Sequence, residues 1–219
     1  SVISLYTPGP TEILLPTPIF SSLSLTIKTS LRLTQNNSHE SPIVMITLQH
    51  DQNVSVETSK PVNQQLKYNQ NVVTFITEPV EQRLPYDFTE FKDSLIKKNQ
   101  RLGLNIVTVP SESRLLSLVL HKIEQLNPDI IIGHDLHGSM LDILMSRIQA
   151  YNLTFQWSKL GRLRIKNIPR HSNVGSRSLV DQGVGCGRLL VDTQLSAKEF
   201  TPSRQYTLDY LVEELLHIS

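Results

Sequence analysis

The chain has 219 residues, 39% of them hydrophobic, enough for one sizeable buried core. Its 21 Lys and Arg are balanced by 20 Asp and Glu, so no global charge draws it to nucleic acid or to a membrane surface, and any such binding must be local. A single cysteine, Cys186, excludes an internal disulfide framework and a multi-cysteine zinc site and fits a reducing compartment, and no apolar run approaches the roughly 18 residues that a membrane span needs.

Residues 1–19 carry Pro8, Pro10, Pro16 and Pro18, a spacing that forbids helix and favours an extended lead-in segment laid across a neighbouring surface. The domain proper is expected over residues 20–219. From Leu23 onward to Thr29 apolar and polar residues alternate, the period of a strand with one buried face. Ile43 to Leu48 and Val72 to Thr77 repeat the β-branched enrichment, and Asn36, Asn37, Asn63 and Asn69 punctuate the polar stretches between, so an early meander of strands is expected. Phe88, Phe91 and Leu95 stand three and four apart in a helical segment over Phe88 to Lys98.

Leu104 to Val109 reads as a fourth strand. Pro110 and Ser111 then open a helix from about Glu112 to Leu126, with Leu115, Leu116, Val119, Leu120 and Ile123 on one face and Asn127-Pro128 as its stop. Asp129 to Gly133 is short and apolar, the pattern of a strand covered on both faces, and it feeds directly into another helix. Leu163 with Ile165, then Arg188 to Asp192, read as two further strands around a Gly- and Ser-rich loop. A short helix near Ser196 to Phe200 and a final helical pattern from Tyr206 to Ile218 follow. That last pattern has no stop signal, and Ser1 follows no leader-like sequence, both expected of a piece of a longer protein.

The turn between Gly133 and Met140 lies where a strand gives way to a helix, a common place for function in α/β folds. As metal ligands it offers His134, Asp135, His137 and Asp142, since imidazole and carboxylate both suit zinc or manganese. The spacing argues against that set. Both histidines precede the helix, and Asp142 lies about 200° around it from Met140, whereas Met140, Leu141, Leu144 and Ile148 make the inward stripe. The competing reading has Asp135 or Ser139 capping the helix, the histidines bonded to backbone or solvent, and Asp142 turned to water.

"PDIIIGHDLHGSMLDILMSRI" from Pro128, "WSKLGRLR" from Trp157, "CGRLLVDTQLSAKEF" from Cys186 and "YTLDYLVEELL" from Tyr206 together resemble the exonuclease-like domain of family B DNA polymerases, and among them the alpha-type, primase-associated branch. The resemblance covers the chain from about Ser22 and implies an α/β, ribonuclease H-like mixed sheet flanked by helices. Proofreading members hold two divalent ions with an Asp-x-Glu on the first strand, an Asp heading the helix after the Gly-x-Asn turn, and a further Asp downstream. Strand alternation puts both carboxylates of Asp-x-Glu on one face, in reach of two ions about 3.5 to 4 Å apart. In this chain the resemblance places Thr26 at the Asp, Lys28 at the Glu, Asp135 at the Asn and Met140 at the second Asp, while the last motif would lie beyond Ser219. A thioether is a poor ligand for magnesium, which demands oxygen, and Lys28 turns a carboxylate into an ammonium. The domain is therefore expected to hold no metal and no cofactor and to have no catalytic residues. Lys28 is expected either to pair with a neighbouring carboxylate or to attract a nucleic-acid phosphate.

For the whole protein the resemblance implies a nuclear, DNA-directed DNA polymerase, a nucleotidyltransferase with magnesium at a polymerase site outside this segment. Its expected partners are the RNA-primed DNA template, primase and accessory subunits, and the polymerase core of the same chain. Between Asn152 and Val180 the sequence also gathers Lys159, Arg162, Arg164, Lys166, Arg170 and Arg177 without one acidic residue, a candidate footprint for template, primer or a partner subunit. Arg162, Arg164 and Lys166 alternate with Leu163 and Ile165, so they are expected on one exposed strand face, and Trp157 is expected in the core. Asp192 is expected as a helix cap and Cys186 as a small buried residue. Two rival functions remain open: a residual metal-dependent 3'-5' exonuclease using His134, Asp135, His137 and Asp192, and a stand-alone nucleic-acid or protein binding module built on the basic arm.

Overall fold

The computed structural model describes residues 19–30, 32–33, 39–40, 42–54, 71–78, 83–100, 103–153, 155–163 and 183–216. Strands β1 (Phe20–Thr29), β4 (Ile43–Val54) and β5 (Asn71–Thr77) form the expected antiparallel meander, with a two-residue ladder of β2 (Arg32–Leu33) and β3 (His39–Glu40) in between. Helix α1 (Phe88–Lys98), β6 (Asn105–Val109), α2 (Glu112–Leu126) and β7 (Ile130–Gly133) follow. A π-helical turn, Leu136–Met140, leads into α3 (Leu141–Ala150), and a single 3-10 turn spans Trp157–Leu160. Strand β8 (Leu189–Asp192), α4 (Thr193–Phe200) and α5 (Leu208–Leu216) end the described chain. The six long strands make one mixed sheet in the order β6-β5-β4-β1-β7-β8. Strand β1 sits between antiparallel β4 and parallel β7.

Alternation along β1 decides which face is covered. Leu23 and Leu25 are buried and Ile27 packs against them, whereas Thr26 and Lys28 are exposed on the other face. On the covered side lie Leu115, Leu116, Val119, Leu120 and Ile123 of α2 with Leu141, Leu144, Met145 and Ile148 of α3, a single core in which each buried Leu or Ile contributes about 1.5–3 kcal/mol. Helix α2 starts as its sequence indicates: Ser111 Oγ accepts from Arg114 N at 3.3 Å. It stops at Asn127, left-handed at φ 45° and ψ 52°, a conformation that Asn tolerates better than most residues.

The two helices are tied by a carboxylate that the hydrophobic pattern does not single out. Glu112, 8% exposed, receives Arg147 Nε at 2.8 Å and Nη2 at 2.7 Å, the Tyr151 hydroxyl at 3.0 Å and the Ile43 backbone N–H at 2.8 Å. A bidentate guanidinium and two further donors satisfy the ion pair in its desolvated setting.

Several boundaries differ from those read in the sequence. Strand β4 continues six residues past Leu48, since its antiparallel pairing with β1 runs on until Phe20 stands opposite Val54. Helix α4 begins at Thr193 rather than near Ser196 because Asp192 supplies its cap. Residues 161–163 form a bend and not the expected strand; Ile165 lies outside the described residues, as do residues 1–18 of the lead-in. Trp157 is in the core at 2% exposure, and Cys186 is half-buried in a turn.

His50 is 2% exposed; its Nε2 lies 2.8 Å from Ser21 Oγ, and its Nδ1 has no partner among the described residues. Burial lowers its pKa from 6.5, with Asp51 opposing and Lys122 adding to the shift. The unfolded chain therefore takes up this proton first as the pH falls, so His50 contributes stability above pH 6.5 that is lost on acidification toward the folded-state value. Urea unfolding midpoints measured across that window should fall with pH in the native chain and fall less steeply in His50→Gln. Replacing Glu112 by Ala should cost about 3 kcal/mol in the same assay, because it strands the Arg147 charge and the Ile43 N–H together.

Candidate functional site

The geometry of the 134–140 turn is set by one carboxylate from another strand. In the parallel ladder Gly133 of β7 pairs with Asp192 of β8. From there Asp192 Oδ1 accepts the N–H groups of Gln194 (2.9 Å), Leu195 (3.2 Å) and Asp135 (3.2 Å), and Oδ2 accepts that of His137 at 2.9 Å. Asp192 thus caps α4 as expected and also clamps the turn, a second role that no local signal announces. Burial alone would raise its carboxyl pKa; the N–H groups of His137, Leu195 and Gln194 outweigh that and hold it below the usual value.

The capping expected of Asp135 and Ser139 is not what the structure shows. Asp135 is left-handed, φ 59°, and makes no side-chain cap. Its Oδ2 accepts the Ser139 hydroxyl at 2.7 Å, while its carbonyl accepts both Ser139 N and Met140 N at 3.2 Å. The second of these spans five residues, as does the bond from Leu141 N to the Leu136 carbonyl, and the turn is wound as a π-helix for that reason.

His134 is fully engaged. The Tyr206 carbonyl only accepts, so Nε2 donates to it at 2.9 Å, and Nδ1 lies 3.1 Å from the Thr193 hydroxyl. His137 offers its N–H to Asp192, and its Nε2 is buried with no partner among the described residues. Asp142 is half-buried rather than turned wholly to water. Among the described residues no three or more His, Cys, Asp or Glu side chains are grouped to hold a metal ion.

Thr26 and Lys28 lie on the open face of β1, and Met140 packs against the covered side of the same sheet. Ser24 pairs with Ile132 across the parallel ladder, so one step on Leu25 stands beside Gly133, and Thr26 and Lys28 follow on the open face. Met140 lies against the covered side: a Cβ on Gly133 would come within 3.2 Å of its Sδ and of Leu136 Cβ, so a side chain there would require these neighbours to shift. Among the described residues no carboxylate pairs with Lys28. The expected salt bridge is therefore not made there.

The basic arm is only partly in view. Arg164, Lys166, Arg170 and Arg177 lie outside the described residues. Of the three expected on one exposed strand face, Arg162 is exposed but lies in a bend; it reaches Asp129 Oδ1 at 2.6 Å and Asn127 Oδ1 at 3.0 Å, while Lys159 Nζ pairs with Glu124 at 2.8 Å. Arg188, read in sequence only as the start of a strand, joins them through Asn127 Oδ1 at 3.1 Å and the Leu160 carbonyl at 3.0 Å. The Ser21 N–H and Arg162 hold the Asp129 carboxyl below its ordinary pKa.

A mixed sheet with its first strand flanked by β4 and β7, and a strand-to-helix turn beside that strand's end, is the ribonuclease H-like arrangement expected above. Residues 7–211 match the model of the DNA polymerase family B exonuclease domain. The chain belongs to that family. It is 36% identical over 128 residues to the DNA polymerase alpha catalytic subunit of Xenopus laevis, covering 58% of this chain and 8% of that protein. With the DNA polymerase alpha catalytic subunit of Sterkiella nova it shares 31% identity over 202 residues, 90% of this chain and 12% of that protein. The corresponding Oxytricha trifallax protein is 37% identical over 123 residues, 53% of this chain and 8% of its own length. The chain thus spans only about a tenth of the length of these relatives.

In this exonuclease-family fold the Asp192 clamp should be measurable apart from any activity. Asp192→Ala should lower stability by about 3 kcal/mol, since it removes a helix cap and leaves N–H groups of the turn unpaired. Amide hydrogen exchange should quicken at His137 and Leu195, with little change in β4 or β5. In the native chain the depressed pKa makes the contribution of Asp192 present above about pH 3.8 and lost as the pH falls through the folded-state value.

Proposed function

We propose that this chain is the exonuclease-like domain of an alpha-type DNA polymerase catalytic subunit and that it does not cleave nucleic acid. One observation carries the reading: the positions at which the resemblance puts the metal-binding carboxylates hold a hydroxyl, an ammonium and a thioether, Thr26, Lys28 and Met140. A two-metal nuclease needs hard anionic oxygens, so this donor set does not fit a pair of magnesium ions. Lys28 repels a dication, and Met140 is packed against the core, where its soft sulfur offers no compensation. The rival histidine-based site has the disadvantage that both nitrogens of His134 and both oxygens of Asp192 already hold hydrogen bonds.

On this reading the domain is a structural block that packs against the polymerase core and borders the path of the nucleic acid. The whole protein would extend primase-made primers on a DNA template in the nucleus, with primase and accessory subunits as partners and magnesium at a polymerase site elsewhere. Likeness to the alpha catalytic subunits of several eukaryotes supports that assignment.

The test is a 5'-labelled single strand incubated with the purified chain and magnesium or manganese, then sized on a denaturing gel. No shortening is expected. Shortening that disappears in His137→Ala would overturn the reading in favour of the residual nuclease.

A further inference from the structure

At the end of the sheet opposite the Met140 turn, a cleft of about 420 Å3 opens between the C-terminal end of α2 and the 3-10 turn, with Lys159, Arg162 and Arg188 in its lining. Glu124 pairs with Lys159, and Asp129 pairs with Arg162. Among the described residues the Arg188 guanidinium meets only uncharged oxygens: Nε donates to the Leu160 carbonyl, and Nη1 to Asn127 Oδ1 and the Pro128 carbonyl. Burial and the neighbouring charge of Arg162 pull its pKa below the ordinary arginine value, offset only in part by Asp129. A half-buried cation bonded to neutral acceptors alone is better stabilised when a carboxylate joins them.

The chain enters β1 beside this cleft. Asp129 Oδ2 accepts the Ser21 N–H at 2.9 Å, and the Asp129 N–H donates to the Ser21 carbonyl at 2.8 Å. Its other oxygen, Oδ1, takes Arg162 at 2.6 Å, so one residue ties the start of the strand to the cleft wall. Across the ladder Ser22 stands beside Ile130 and Ile130 beside Leu189, which puts the backbone next to Arg188 two strand spacings, about 10 Å, from β1. Residues 1–18, outside the described residues, lead into β1 at this point. In the sequence before Lys28 the only charged side chain is that of Glu12. It lies seven residues ahead of Ile19, an extended reach of about 23 Å and ample for that gap. Ile13, Leu14 and Leu15 follow it. Leu163 and Leu189, next in sequence to Arg162 and Arg188, are each more than half exposed, as is Ile19.

We propose that the lead-in segment folds back over this cleft, the Glu12 carboxylate seating against Arg188 while Ile13 to Leu15 cover the apolar rim of Leu163 and Leu189. Charge and hydropathy agree on this occupant, since the segment brings one negative group and then an apolar run to a site that offers a cation and exposed leucines. Tethering favours it further. A group held a few residues from its dock acts at an effective concentration on the order of millimolar, so a contact too weak to hold separate molecules is occupied within one chain. The segment thereby fastens β1, α2 and β8 at the end of the sheet that the Asp192 clamp does not reach.

Carboxyl-to-amine coupling with a water-soluble carbodiimide tests the placement. Arg188→Lys keeps the charge and supplies an amine, and the native Lys159–Glu124 pair is the internal standard. After digestion and mass spectrometry, Glu12 should be found joined to the new amine at position 188 of the same chain. Glu12 joined to another lysine, joined across two chains, or left uncoupled while the standard reacts would each overturn the proposal. A glutamate-specific protease gives an independent rate. Cleavage after Glu12 should be about tenfold faster in Arg188→Gln than in the native chain, because the undocked segment is the form that is cut. Equal rates would overturn the proposal as well. Should either variant fail to fold by circular dichroism, the other decides alone. Neither readout involves nucleic acid, so the result is independent of the non-cleaving assignment.

Discussion

A parallel strand pair can place a side chain from one crossover against the loop of another, and here that side chain is the carboxylate of Asp192. Two of the N–H groups it accepts belong to its own helix and two to the turn after β7. Charge-assisted bonds to backbone N–H are strong, and four around one carboxylate fix the turn without a metal ion or a disulfide. The left-handed Asp135, the π-helical winding and the inward fold of Met140 all follow from where that clamp holds the chain. His134 extends the same fastening to Tyr206, so β7, α4 and the approach to α5 are tied at one point.

The clamp separates two tasks that a nuclease of this architecture would combine. Positioning of the turn rests on Asp192 and His134, whereas metal binding would rest on residues at 26, 28 and 140. Exchange of residues in the latter group would remove negative charge without touching a hydrogen bond that shapes the turn. Thr26 and Lys28 stand exposed on an open sheet face, where substitution has a small structural cost. Met140 is accommodated because Gly133 leaves room beside it for a thioether.

Charge clusters in sequence and in space are different objects. Lys159 and Arg162 look like the start of a continuous basic stripe, yet each turns back onto α2 or the start of β7 and meets a carboxylate there. Among the described residues no carboxylate is bonded to Arg188, 22 residues beyond Lys166 in the chain. Glu112 gives the opposite case, an ordinary first-turn acidic residue that becomes a buried junction between α2, α3 and β4.

Apolar periodicity by itself determined the order and kind of most elements, the covered face of β1 and the inner stripes of α2 and α3, because these depend on local alternation and on the 3.6-residue turn. Sequence likewise determined which chemical groups stand at positions 26, 28 and 140. The helix limits at Ser111 and Asn127 were legible for the same local reason, a hydroxyl cap and a left-handed stop. Only the tertiary structure decided that β4 runs on to Val54, that Asp192 rather than Asp135 holds the turn, and that Lys159 and Arg162 meet carboxylates. Those outcomes depend on partners distant in the chain, 55 and 57 residues for the bonds of Asp192 to the turn, and a hydrogen bond formed at such a separation leaves no periodic trace in either segment.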